Sequence, residues 1–136
     1  MERQPVIVLD THVLVWWLTG EKLSTKAAKA ITKHEQSERS ILVSSISAWE
    51  IAMLVERGRL VLTMDVESWL AEASKIPAIE FIPVDNNIAI NSTQLPDNFH
   101  RDPADRMLVA LARHLSVPLV TADEKILAYK HVKTIW

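Results

Sequence analysis

The chain alternates between short apolar runs and longer stretches in which apolar residues recur at helical spacing. The short runs are Val6 to Leu9 behind Pro5, Ile41 to Val43, Ile79 to Val84, Pro118 to Thr121 and Val132 to Ile135. Brief continuous runs of β-favouring residues predict strands covered on both faces, as in a parallel sheet. Pro83 weakens the third of them, because proline cannot donate to a ladder. Helices are predicted at Thr11 to Leu18, closed by Thr19-Gly20, and at Ser24 to Glu38, capped by Ser24. Further helices are predicted over Ser44 to Arg57, ended by Gly58, over Asp65 to Ser74, stopped before Pro77, and over Asp85 to Thr93. Asp102-Pro103 opens another, with an aspartate cap and proline at the first helical position, running to Leu115, and a short one covers Asp123 to Tyr129. Arg59 to Thr63 reads as an extended connector and Gln94 to Arg101 as a polar loop. Strands alternating with helices predict an α/β domain with a mostly parallel central sheet and helices on both faces.

Composition narrows the chemistry. With 136 residues, 49% hydrophobic and 24% charged, the chain reads as one soluble globular domain over residues 1–136. It has no cysteine, which excludes disulfides, thiolate metal sites and a cysteine nucleophile, and agrees with a cytoplasmic location. A net charge of −2 provides no global basic field, so any nucleic-acid binding must use a local patch. Val13 to Leu18 is too short to cross a bilayer, and Glu2 and Asp10 fall where a secretory signal needs a basic head and an apolar middle. Two glycines leave no phosphate-cradling loop, and no G-x-S-x-G elbow is present.

The informative residues are acids. Asp10 follows the first apolar run directly, which puts it at a strand's carboxyl end, where open α/β sheets bind ligands. It could equally cap the following helix. Glu50 lies at the start of the helix after the second run, and Ser47 with Glu50 has the S-x-x-E spacing of a capping box. Asp102 and Asp105 occupy the cap and third position of their helix, where negative charge suits the dipole. Asp123 follows Leu119-Val120-Thr121 as Asp10 follows its own strand. Each acid has a capping role open to it, yet all fall at the same edge of the same sheet. Converging carboxylates repel one another unless a cation joins them. Magnesium or manganese, which prefer oxygen ligands, fit that need. Zinc fits less well, because His12, His34, His100, His114 and His131 form no close ligand pair and read as surface or helix-end residues.

Four segments together resemble a PIN-domain ribonuclease, and within that family the VapC-type toxins of bacterial and archaeal toxin-antitoxin pairs. They are D-T-H-V-L-V-W-W from Asp10, S-S-I-S-A-W-E-I from Ser44, H-R-D-P-A-D-R-M-L-V-A from His100, and L-V-T-A-D from Leu119, and the similarity spans nearly the whole chain. The resemblance implies a PIN-like three-layer sandwich and an acidic site at Asp10, Glu50, Asp105 and Asp123, with Asp10 and Asp105 as the principal metal ligands. Thr121 matches the small hydroxyl residue before the last acid. Thr11, Ser47 and Asp102 are accessory positions, with Ser47 and Asp102 also readable as caps.

The implied chemistry is hydrolysis of RNA phosphodiesters assisted by one or two Mg2+ or Mn2+ ions. Arg101 and Arg106 would contact the RNA backbone, with Lys22, Lys26 and Lys125 as further contacts. The resemblance further implies a homodimer held inactive by a small VapB-like antitoxin, with one of Trp16 and Trp17 at an interface. Competing readings are an RNA- or protein-binding module that does not cut, and a PIN nuclease of RNA maturation or DNA cleavage.

Overall fold

A computed structural model describes residues 5–136. The chain runs β1 (Ile7–Leu9), α1 (Thr11–Thr19), α2 (Thr25–Glu35), β2 (Ile41–Ser44), α3 (Ser45–Glu56), α4 (Val66–Ser74), β3 (Ile79–Ile82), α5 (Asn86–Ser92), α6 (Pro103–Leu115), β4 (Leu119–Val120), α7 (Glu124–Leu127) and β5 (Thr134–Ile135). The five strands form one sheet in the order β3-β2-β1-β4-β5, and every pairing is parallel. The sheet is therefore wholly parallel rather than mostly so. Met1 to Gln4 lie outside the described residues.

Alternation along each strand divides the core into two layers, because successive side chains point to opposite faces. Ile7, Leu9, Ile41, Val43, Ile79 and Val120 face one way and pack with residues of α1, α2, α3 and α4. Val8, Leu42 and Leu119 face the other way, onto α5, α6 and α7. Most of these side chains are fully buried, which explains why the strands read as unbroken apolar runs.

Differences from the sequence-based boundaries have local causes. The second helix stops at Glu35, short of Glu38, because the Ser40 hydroxyl donates to the carbonyls of His34 and Ser37 and turns the chain toward β2. The short last helix stops at Leu127, before Tyr129, whose ring packs on Phe99 and whose hydroxyl donates to the Pro96 carbonyl. Arg59 to Thr63 is a connector without strand pairing, with Leu60 and Leu62 on the core and Val61 89% exposed. Gly20 takes φ 78° at the end of α1, a left-handed turn that a side chain would disfavour.

The chain leaves β1 toward β2 on one side, while β4 and β5 lie on the other. That reversal opens a crevice at the carboxyl ends of β1 and β4, the usual ligand position in open α/β sheets.

Candidate active site

Asp10 stands at the mouth of that crevice. It occupies the N-cap position of α1, with φ −64° and ψ 153°, but its side chain makes no capping hydrogen bond. Its carboxylate turns instead to β4, where Thr121 Oγ1 donates to Asp10 Oδ2 at 2.7 Å. Thr121 is fully buried and Asp10 only 5% exposed. The same threonine oxygen accepts from the Asp123 backbone N–H at 3.0 Å, so one hydroxyl ties the acid after β1 to the acid after β4. The capping alternative for Asp10 is thereby removed. Asp123 does cap: its Oδ1 accepts from Lys125 and Ile126 N–H groups at 2.9 and 3.0 Å.

Glu50 arrives from the opposite side, one and a half turns into α3. The expected capping box is not formed. Ser44, the last residue of β2, caps α3 by accepting from Ile46 N–H, because the strand ends there and its side chain is the first to reach the exposed amides. Ser47 is buried within the first turns of the helix and lies 2.7 Å from Thr11 Oγ1, which donates to Glu50 Oε1. With that threonine proton committed, the Ser47 hydroxyl donates to Thr11. A buried chain Ser47, Thr11, Glu50 thus orients the glutamate from α1.

The Asp102-Pro103 helix start forms as expected. Asp102 Oδ1 accepts from Asp105 N–H at 2.9 Å, and Asp105 is the acid of the first turn of α6. Asp10, Glu50, Asp102, Asp105 and Asp123 all line one open cleft of about 410 Å³, with His12 and Trp16 on its α1 side. Asp102 is therefore both cap and cleft wall. Trp16 packs against His12 and Trp136, while Trp17 packs against the core.

The convergence leaves an electrostatic mark. Asp105 is pushed up to about 8, first by burial and then by the neighbouring charges of Asp10, Asp102, Asp123 and Glu50. Burial likewise raises Asp10, opposed by the Thr121 hydrogen bond, and raises Glu50, opposed by the Thr11 hydrogen bond. Carboxylates crowded this way, with no lysine or arginine paired to any of them among the described residues, suit a divalent cation. Thr11 and Thr121 are thus hydrogen-bonding partners of the acids, and Ser47 backs Thr11.

Two residues depart from expectation. Arg106 does not present its guanidinium to the cleft: it donates to the carbonyls of Ser92 at 2.7 Å, Phe99 at 2.9 Å and His100 at 3.1 Å. A guanidinium engaged with three carbonyls clamps the loop before α6 and is not a free phosphate contact, whereas Arg101, Lys22, Lys26 and Lys125 are exposed. His100 was expected at the surface, but its side chain is 21% exposed and its Nε2 lies 3.0 Å from Asp105 Oδ2. Nε2 of His100 and one oxygen each from Asp105 and Asp123 lie within 4.8 Å of one another. No periodicity marks His100; its signals in the sequence are its place just before the Asp102-Pro103 helix start and its position at the head of the third family-like segment. His34 is also buried, with Nδ1 2.7 Å from the Ala30 carbonyl, whereas His12 is exposed.

A wholly parallel sheet with acids gathered at its switch point is the architecture of a nuclease-like α/β domain, and the PIN domain family matches residues 7–132. The chain belongs to the PIN domain family. It is 32% identical over 133 residues to Ribonuclease VapC22 of Mycobacterium tuberculosis, covering 96% of this chain and 98% of that protein. Its fold is similar to the crystal structure of VapBC2 from Rickettsia felis bound to a DNA fragment from their promoter. There the TM-score is 0.71 at 15% identity, over 95% of this chain and 96% of the other. It is also similar to the DNA-bound VapBC from Salmonella typhimurium, with a TM-score of 0.67 at 17% identity over 96% and 97% of the two chains. No helix among the described residues is long and apolar enough to cross a membrane.

Proposed function

We propose that this chain is an endoribonuclease toxin that hydrolyses RNA phosphodiester bonds with the help of Mg2+ or Mn2+. The observation that carries this reading is the gathering of Asp10, Glu50, Asp105 and Asp123 from four separate segments into one cleft at the sheet's switch point. The relation to Ribonuclease VapC22 over nearly the full length of both chains supports it.

Asp10, Glu50, Asp105 and Asp123 would hold the cation, which when bound polarises a phosphodiester and makes a water more acidic. The protein's own part is orientation. Thr121 fixes the rotamer of Asp10 through Oδ2, and Thr11, backed by Ser47, fixes Glu50. Asp123 spends Oδ1 on the α7 amides, which leaves its second oxygen for the cleft. Arg101, exposed and next to Asp102 in the chain, would contact an RNA phosphate. A binding module that does not cut is not favoured, since such a module has no need to hold four mutually repelling acids together.

Its partner in this reading is a VapB-like antitoxin, supported by a toxin-antitoxin complex from Klebsiella pneumoniae among its structural neighbours, and the reading also takes the toxin to pair as a homodimer. Trp16, beside the acids, is the better placed of the two tryptophans to meet a partner.

Purified protein incubated with a structured RNA tests the activity. Cleavage is expected with Mg2+ or Mn2+, to stop with EDTA, and to fall at least about 1,000-fold in Asp10→Asn, since a ligand is exchanged for a neutral amide. Full activity in that variant, or in EDTA, would refute the assignment.

A further inference from the structure

The clearest unexplained atom beside the acids is His100 Nε2. It is closed off from water and lies 3.0 Å from Asp105 Oδ2, a normal hydrogen-bonding distance, yet it is aligned as a hydrogen bond with no group among the described residues. Buried polar nitrogens are almost always partnered, so an orphan of this kind calls for an explanation. The two atoms stand at ion-pair distance without hydrogen-bond alignment, and 3.0 Å is also the spacing of two ligands of a common ion. Atoms at right angles around a cation with bonds of about 2.1 Å stand about 3.0 Å apart.

The imidazole is also held in place more firmly than a loop residue needs to be. Its ring packs on Phe99 with centroids 4.4 Å apart, and Phe99 packs on Tyr129 at 4.6 Å. Behind it, the Arg106 guanidinium grips the carbonyls of Phe99 and of His100 itself. Arg106 follows Asp105 on α6, so one helical turn sets both the carboxylate and the backbone that carries the imidazole. A ligand fixed before binding loses little freedom when it binds.

We propose that His100 Nε2 is a direct ligand of the divalent cation shared with Asp105 and Asp123, and that this nitrogen biases the site toward Mn2+ over Mg2+. The proposal rests on the metal-dependent reading above and adds a ligand to it. The selectivity follows from ligand type: carboxylates serve both ions, whereas an imidazole nitrogen binds the first-row transition metal better than it binds magnesium. Arg106, Phe99 and Tyr129 are then positioning residues for that ligand.

Mn2+ offers a readout independent of cleavage. Pulsed electron paramagnetic resonance of the full chain loaded with Mn2+ is expected to show 14N coupling from a bound imidazole, retained in His12→Gln and abolished in His100→Gln. Calorimetry is expected to show a loss of Mn2+ affinity of at least about tenfold in His100→Gln, with Mg2+ affinity changed less than about threefold. Mn2+ bound without 14N coupling, or coupling lost in His12→Gln, would overturn the assignment of His100 while leaving the metal site intact. Failure of the unsubstituted protein to bind Mn2+ at all would instead overturn the metal-dependent reading, and this proposal with it. Should His100→Gln fail to fold, the His12→Gln variant still decides between His12, which lines the cleft, and His100, which lies against Asp105.

Discussion

Replacing Asp105 by asparagine removes one ionisable group from the crowded cleft while keeping the shape of the side chain and the Asp102 cap on its amide. The carboxyl of Asp105 is pushed up from 3.8 to about 8 in the folded protein. The folded state therefore holds a proton that the unfolded state releases over most of that range, and stability must fall as pH rises. Asp105 costs nothing below about pH 4, where both states are protonated, and its full penalty is felt above about pH 8. One proton of difference is worth at most about 1.4 kcal/mol per pH unit. The carboxylate borders an open cleft, so solvent screens part of this, and about half is a fair expectation. Between pH 6 and pH 8 that amounts to about 1.4 kcal/mol, or roughly 5 °C in Tm for a domain of this size.

The assay is thermal unfolding of the wild-type protein and Asp105→Asn in EDTA at both pH values. The wild type should lose about 5 °C relative to the variant on going from pH 6 to pH 8, and the variant should be the more stable at pH 8. Subtracting the two curves cancels groups far from Asp105 that titrate alike in both proteins. Addition of Mn2+ at about 100 times its Kd should then raise the wild type by about 2.7 kcal/mol and the variant by much less. A difference between the two proteins that stays constant within about 1 °C from pH 6 to pH 8 would refute the claim that these carboxylates repel one another.

The other expectations concern the scaffold. Arg106→Ala should destabilise the chain by about 3 kcal/mol, since three carbonyls lose a charged donor, and Arg106→Lys should recover little of it because an ammonium lacks the fork. A loss below about 1 kcal/mol in a denaturant titration would show that the clamp is dispensable. Thr121→Val keeps the volume but removes the hydroxyl between Asp10 and Asp123, and should weaken Mn2+ binding about 10- to 100-fold in calorimetry. Unchanged affinity would mean that Asp10 is held by its burial alone.

The sheet was legible because parallel strands buried on both faces leave an unmistakable trace: short apolar runs with an acid or hydroxyl at the end. Asp10 and Asp123 could be placed at one edge on that basis, and the helix start at Asp102-Pro103 carried Asp105 with it. Serines were harder, since Ser44 and Ser47 both have cap chemistry, and only the true end of β2 decides which reaches the free amides. The acids' hydroxyl partners depend on contacts across 39 to 111 residues, which no local spacing encodes. Arg106 illustrates the limit best: beside an acidic site its charge suggested a phosphate contact, but the loop between α5 and α6 exposes carbonyls that only a folded chain presents to it. His100 was hidden by the same loop.

The Thr121 hydroxyl that joins Asp10 to the far side of the crevice spans 111 residues. No amino-terminal fragment ending before β4 can contain the finished centre, however well its own strands pair. A chain emerging from the ribosome therefore gains the hydroxyl that orients Asp10, and then Asp123, only once β4 has been made, and in the proposed reading it would have no complete site before that point. In that reading the order of synthesis itself delays assembly of the site.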